Sequence, residues 1–289
     1  MAGFVVDRLG AWSSVREFIV EPDRTIAYAR ATNDLNPRYL SGELAPPVFA
    51  VIPVVETMVH KEVEQEIVPD GFSVQSLHGE QDIHFHRPIV PGTVLQLRAC
   101  VIGVQVKSTG TTVVAKIETR NESRDLVNIQ FLTGFYRGAD GGASIGESAP
   151  NHSCDPSVDL GAPVVTEIQH VDADQASRYD EVSGEDVAIH LDDEAARAAG
   201  LPGIILQGLC TMALNSQVIV ATVGAGDPLA LRRLAVRFSK PVFPDSDLKT
   251  AIWTDGARGG VHRYVFESTD PGGGVVVKDG WAEIGPARV

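Results

Sequence analysis

Hydrophobic and polar positions along this chain fall into a pattern that occurs twice. In each half, a short stretch with helical spacing leads to a longer apolar stretch, and then to a series of alternating runs. The longer stretch of the second half, LCTMALNSQVIVATV (209–223), is apolar nearly all round, which predicts a buried helix. It closes on Gly224-Ala225-Gly226, a suitable cap. In the first half AVIPVVETMVHKEVEQE (50–66) takes the same place, with Pro53 assigned to its first turn. Period-two alternation predicts strands at 78–86, 93–106, 110–119 and 124–136, and again at 230–238, 247–253, 261–268 and 275–283. A buried helix followed by an antiparallel sheet that can wrap it is an α+β unit. Two such units can join edge to edge into one continuous sheet, which hides strands that would otherwise be exposed.

The residues themselves repeat. HRPIVPGTVLQLRA (86–99) has a counterpart in SKPVFPDSDLKTAI (239–252): Pro88 meets Pro241, Pro91 meets Pro244 and Leu95 meets Leu248, all offset by 153. Proline cannot donate to a strand ladder, so each pair predicts a break, with turns at Pro91–Gly92 and Pro244–Asp245. Upstream, VEPDRTIAYARATNDLNPRY (20–39) aligns without gaps on VDADQASRYDEVSGEDVAIH (171–190), offset by 151. Val20, Asp23, Tyr28 and Asp34 meet Val171, Asp174, Tyr179 and Glu185. Asp23 and Asp174 fit helix starts. The organisation that follows is a first repeat at 1–137, a Gly-, Ser-, Asp- and Pro-rich linker at 138–163, and a second repeat at 164–289.

Composition narrows the function. The net charge of −14 argues against binding a phosphate backbone. The one basic cluster, Arg232, Arg233, Arg237 and Lys240, reads either as a solvated strand edge or as a phosphate-contacting patch. Apolar runs stay short of a membrane span, and the N-terminus lacks the pattern of a signal peptide. Three scattered cysteines fit neither a disulfide framework nor a zinc site, so a cytoplasmic location is expected. His78, His84 and His86 share one strand but lack partners at ligand spacing, so no metal is expected.

The second half carries Tyr179, then Ser183-Gly184-Glu185-Asp186-Val187-Ala188-Ile189-His190-Leu191-Asp192, and later Gly200-Leu201-Pro202-Gly203-Ile204-Ile205-Leu206-Gln207-Gly208-Leu209-Cys210-Thr211. This resembles the signature of the MaoC-like (R)-specific enoyl-CoA hydratases and 3-hydroxyacyl-thioester dehydratases. VRFSKPVFP (236–244) resembles the same family, and APPVF (45–49) and LHGEQDIHFHRPIVPG (78–92) resemble its N-terminal, non-catalytic repeat. The resemblance implies a double hotdog fold: two tandem repeats, each a long central helix wrapped by an antiparallel sheet. It also implies a hydro-lyase that adds water to a 2-enoyl thioester or removes it from a 3-hydroxyacyl thioester. The carrier would be coenzyme A or acyl carrier protein, with no further cofactor, in fatty acid or polyketide metabolism.

Carried over position by position, the resemblance assigns catalysis to Glu185, His190 and the backbone N–H of Gly208. A carboxylate and an imidazole hold one water, while the N–H at a helix start polarises the thioester carbonyl. Ser183, Asp186, Gln207, Tyr39 and Asp34 are the expected substrate-binding residues. The sequence departs from the family pattern in several places. Glu185 stands for Asp, Val187 for Asn, Ala188 for Pro and Gln207 for His. The first repeat keeps Asp34, Asn36 and Pro37 but has Tyr39 where the His belongs, and a phenol of pKa about 10 is a poor base at neutral pH. The second repeat is therefore the expected site, and the first its acyl-binding wall. The departures leave two alternatives: a specialised biosynthetic thioester enzyme of the same fold (isomerisation, cyclisation by conjugate addition, or an unusual dehydration), or a non-catalytic acyl-thioester-binding subunit. Cys210 is expected to serve packing, Tyr179 to anchor its helix, and a homodimer is allowed.

Overall fold

The structure is a computed structural model that describes residues 4–69, 76–154 and 161–286. The first repeat runs β1 (Arg16–Ile19), α1 (Pro22–Ala31), α2 (Pro37–Leu40), a 3-10 turn (Pro47–Val51), α3 (Ile52–Thr57) and α4 (Val59–Glu64). Four long strands follow: β2 (Ser76–Phe85), β3 (Val94–Lys107), β4 (Gly110–Asn121) and β5 (Leu126–Arg137). The connecting segment contributes β6 (Ile145–Gly146). The second repeat runs β7 (Val165–Val171), α5 (Gln175–Ser183), α6 (Asp193–Ala198) and α7 (Gly208–Ala221), then β8 (Leu231–Phe238), β9 (Ser246–Arg258), β10 (Val261–Thr269) and β11 (Val275–Ile284).

One antiparallel sheet contains both repeats, in the order β1-β3-β4-β5-β2-β8-β11-β10-β9-β7. The order of the second repeat mirrors that of the first, which bears out the duplication and the continuous double hotdog sheet. The repeats meet where β2 pairs with β8, from Glu80↔Arg237 to His84↔Arg233. Within this ladder Asp82 faces Ala235, residues separated by the repeat offset itself. The pseudo-twofold axis therefore passes between them. The proline turns are equivalent as well: Gly92 and Asp245 both have positive φ, 85° and 54°.

The eight predicted strands are present, each end within five residues of its predicted place. The central helix of the second repeat also forms, and eleven of its residues are buried. Its counterpart does not form as one helix over 50–66. The chain starts as a 3-10 turn at Pro47, becomes helical at Ile52 and breaks at Met58, which has φ 50°. Pro53 withholds a donor and Val51, Ile52, Val54, Val55 and Thr57 are β-branched, so helix continuity has little local support. Asp23 and Asp174 do not cap their helices with their side chains. Glu21 is the N-cap of α1, and the Asp174 carboxylate pairs with Arg178 at 2.9 Å.

The described part of the linker crosses the seam and is pinned there. Its carbonyls at Pro150 and Asn151 accept from Arg233 at 3.4 and 3.1 Å. His152, buried, donates from Nδ1 to the Asp279 carbonyl at 2.6 Å and places Nε2 3.3 Å from Glu80. β6 pairs with β3 so closely that a Cβ on Gly103 would lie 2.0 Å from the Glu147 carbonyl oxygen.

Beneath the linker, charge is neutralised across the ladder. Arg233 donates twice to Asp82, at 2.9 and 2.8 Å, with both side chains buried, and Arg237 donates to Glu80 at 2.7 Å. Burial alone would raise the Asp82 carboxyl, but the bonds and charge of His84 and Arg233 hold it below its ordinary value. Arg233 and Arg237, read from sequence as a solvated edge or a phosphate patch, are instead the ion pairs that join the repeats. Arg232 turns inward, donating to the Leu229 carbonyl at 2.8 Å.

Candidate active site

The site residues of the second repeat gather around the first turn of α7. α5 ends at Ser183, and Gly184 takes φ 68°, so the chain turns there and leaves Glu185 within electrostatic reach of Tyr179 and of Cys210 in the first turn of α7. The corresponding residue of the first repeat, Asn33, also has positive φ, 56°. The two equivalent carboxyls that follow are both largely buried, and burial is the main cause that raises each: Asp34 to about 6 and Glu185 to about 7. For Glu185 the negative charge of Asp180 adds to the effect. Their bonding differs. Asp34 Oδ1 accepts the Asn36 N–H at 3.1 Å in a local turn, whereas Glu185 Oε2 is buried without a partner.

His190 is buried at the end of a 3-10 turn (Ala188–His190). Its Nδ1 lies 2.8 Å from the Ile205 carbonyl oxygen. A carbonyl can only accept, so Nδ1 carries the proton and Nε2 presents a lone pair. Burial lowers its pKa, against the opposing effects of that bond and of Asp180, and the ring is neutral at pH 7. The Ile205 contact ties the ring to the strand of chain that enters α7 three residues later, and Asp180 acts electrostatically on both Glu185 and His190. Asp180 escaped the sequence reading, although it adjoins Tyr179. Its Oδ1 also accepts the N–H of Asp186 at 3.0 Å and so fixes the loop.

Gly208 is the first residue of α7, where a backbone N–H has no acceptor within the helix and lies at the positive end of the dipole. A Cβ there would lie 3.4 Å from the Phe238 ring, so the glycine leaves its backbone bare on the side of that ring. The first repeat has no such donor. Ala45 donates to the Ile89 carbonyl at 3.0 Å, as Leu206 donates to that of Val242 at 2.8 Å. Two residues beyond these equivalent bonds stand Pro47 and Gly208.

The expected binding residues divide. Ser183 is buried, and its hydroxyl accepts the Glu185 N–H at 3.3 Å, so it shapes the loop. Gln207 is buried and donates to the Ala176 carbonyl at 3.0 Å, tying α7 to α5. Asp186 is exposed, with φ 45°. Val187 is exposed too, and its carbonyl accepts the His190 N–H at 3.0 Å. Asp34 and Tyr39 lie together in the first repeat, where Tyr39 is buried with Ala29 and Leu44. Tyr179 is fully buried against Tyr28, ring centroids 5.7 Å apart across the pseudo-twofold, and Cys210 is buried beside them. Among the described residues no group of His, Cys, Asp or Glu is arranged to hold a metal ion.

Comparison with known proteins accords with this geometry. Residues 157–271 match the MaoC like domain, and residues 42–138 match the MFE-2 hydratase 2 N-terminal domain. The chain is 32% identical over 218 residues to 3-hydroxyacyl-thioester dehydratase Y of Mycobacterium tuberculosis, covering 72% of each protein. It is 31% identical over 191 residues to the peroxisomal enoyl-CoA hydratase 2 of Arabidopsis thaliana, covering 63% of this chain and 61% of that one. With the mouse peroxisomal multifunctional enzyme type 2 it shares 26% identity, over 83% of this chain and 32% of the relative. The chain thus corresponds to less than two thirds of the plant and mouse proteins. A MaoC-like dehydratase from Phytophthora capsici has the same fold, with a TM-score of 0.83 at 24% identity, covering 99% of this chain and all of that one.

The fold therefore defines a double hotdog protein. The chain belongs to the MaoC-like hydratase and dehydratase family, a family of hydro-lyases. Among the described residues no helix is long and apolar enough to cross a membrane, and the relatives include peroxisomal enzymes.

Proposed function

We propose that the second repeat catalyses reversible hydration of a 2-enoyl thioester to a 3-hydroxyacyl thioester. The observation that carries this reading is that Asp180 acts on both a carboxyl with a buried, unpartnered oxygen, raised to about 7, and a neutral imidazole whose tautomer is fixed by the chain that leads into α7. The neutral His190 can only accept a proton at Nε2, and a protonated Glu185 can only donate one. In the hydration direction, water attacks the β-carbon and passes a proton to Nε2. The C=C electrons move toward the thioester oxygen, which accepts a hydrogen bond from the Gly208 N–H. They return as the α-carbon takes the Glu185 proton, and proton exchange between the pair restores the site. Dehydration is the reverse.

The substrate is carried on coenzyme A or acyl carrier protein, and the first repeat supplies the acyl-binding wall. Supporting the division of labour is Pro47, which has no N–H to offer a carbonyl. A homodimer finds support in the exposed Ile19 and Ile168 on the edge strands β1 and β7. The buried thiols of Cys100 and Cys210 suit a reducing compartment such as the cytoplasm.

The test is the loss of enoyl-thioester absorbance with crotonyl-CoA, for wild type, Glu185→Gln and His190→Ala. Each substitution is expected to lower kcat by about 10²–10⁴. Unchanged turnover in either variant would remove that residue from the chemistry.

A further inference from the structure

A second polar assembly lies one aromatic ring away from Gly208. The Phe238 ring that would touch a Cβ at Gly208 also meets the His78 ring edge-on, with centroids 5.3 Å apart. His78, on β2, is an electrostatic neighbour of His60 and Glu64, one turn apart on α4 and both buried. Three titratable side chains thus sit in the interior of the repeat expected to hold an acyl chain.

Their hydrogen-bond directions can be worked out from a single fixed point. The Ala50 carbonyl must accept, so Gln130 Nε2 donates to it at 2.7 Å. Gln130 Oε1 then accepts from Gln81 Nε2 at 2.9 Å, and Gln81 Oε1 accepts from His78 Nε2 at 3.0 Å. Burial, aided by His60, pushes the His78 ring down to about 4, so it is neutral and its Nδ1 is a lone pair. His60 is neutral too, pushed down to about 3 by burial and by Lys61. The Val54 backbone opposes that shift, and the buried Nδ1 of the ring has no partner. Glu64 Oε2 accepts from Lys61 at 3.1 Å and faces the Tyr136 hydroxyl at 3.5 Å, while Oε1 is buried and unpartnered. Glu64 Oε1 and His78 Nδ1 are thus open acceptors, with the unpartnered His60 Nδ1 beside them. An apolar tail leaves those acceptors unmet, whereas a donor on the tail satisfies them.

We propose that His60, Glu64 and His78 form a subsite for a hydrogen-bond donor on the acyl tail, so that the preferred substrate is a thioester whose chain bears a hydroxyl several carbons beyond the reacting double bond. The inference rests on the reading that Gly208 anchors the thioester carbonyl. It deepens that reading from acyl thioesters in general to hydroxylated ones, and it gives the departures of the catalytic loop a specialised substrate.

Calorimetry with saturated acyl-CoAs tests it without requiring turnover. Chains of equal length, with a hydroxyl at each of carbons 5 to 8 or with none, are compared for wild type, His60→Phe, Glu64→Leu and Glu64→Gln. In wild type at least one hydroxylated isomer is expected to bind about tenfold tighter than the plain chain or better. In the His60→Phe and Glu64→Leu variants the ratio should fall toward one, and because it is taken within each protein, partial loss of folded protein does not mimic the result. Glu64→Gln keeps the side chain's length and an acceptor oxygen, and should retain part of the preference. Plain chains binding as tightly as every isomer in wild type, or a preference that survives in both His60→Phe and Glu64→Leu, would overturn the proposal. Crotonyl-CoA, too short to carry the hydroxyl, reports on hydration separately. Its turnover without any hydroxyl preference refutes the subsite alone, and a hydroxyl preference without turnover of any enoyl-CoA refutes hydration alone.

Discussion

Pro47 and Gly208 occupy the same place in the two repeats, each two residues past an equivalent backbone bond to the strand break, and Gly208 alone has an N–H. The first repeat therefore lacks the donor that the second offers at this place, in addition to the His that Tyr39 replaces. The substitution Gly208→Pro should remove that donor. Proline is tolerated at the first position of a helix, and Gln207, with φ −59° and ψ 136°, already has the conformation that precedes it. The melting temperature should change little while kcat falls about 10²–10³, the usual cost of one oxyanion donor. Retained activity would show that the carbonyl is held elsewhere.

The pH profile should follow from the pair. Neutral His190 is required, so activity falls as pH drops through its pKa, which lies below 6.5. Protonated Glu185 is required, so activity also falls as pH rises through about 7. Asp180 raises both groups, and Asp180→Asn keeps the oxygen that accepts the Asp186 N–H. Both limbs of the kcat/KM profile should therefore move to lower pH together. A shift of one limb alone would assign Asp180 to one residue only.

The seam between the repeats depends on a buried charge pair. Arg233→Met leaves the Asp82 carboxylate buried without its main partner, and should destabilise the fold by about 3–5 kcal/mol in urea denaturation. Adding Asp82→Leu should recover much of the loss. A double variant no more stable than the single one would mean that packing, and not the stranded charge, sets the cost.

His152 should make stability pH-dependent. Burial lowers its pKa, but the bonds to Glu80 and the Asp279 carbonyl outweigh this and raise it above 6.5. The folded state therefore binds the proton more tightly than the unfolded chain. The contribution is complete below about pH 6.5 and is lost as pH rises through the folded-state value. Comparing wild type with His152→Gln across pH 5.5–8.5, the stability difference should shrink with rising pH, and a difference independent of pH would rule out the charge.

Much of this fold was legible because it is written twice. Period-two alternation located the long strands, and the prolines at 88, 91, 241 and 244 marked equivalent breaks. The edge strands β1 and β7 were missed for a physical reason: Ile19 and Ile168 point to solvent, so no alternation with the core marks them. The helix break at Met58 arises from an unfavourable run of β-branched residues and Pro53, which apolar content conceals. Glu185, His190 and Gly208 were assigned by their motif. Asp180 falls on one of its unspecified positions, and the seam partners were missed because a charge 151 residues away in sequence, as Asp82 is from Arg233, leaves no local trace.

The ladder between β2 and β8 also bears on how the molecule is assembled. Each repeat closes its own strands through pairs fewer than 90 residues apart, whereas every rung of the seam joins residues about 150 apart. Non-local pairing pays its loop-closure entropy before it gains any contact, so the seam is the step expected last on the folding path. Until it closes, β2 and β8 are bare edges that could pair as readily with another copy of the chain. His152 bonds to Glu80 of the first repeat and to the Asp279 carbonyl of the second, and so acts as a latch on the intramolecular product.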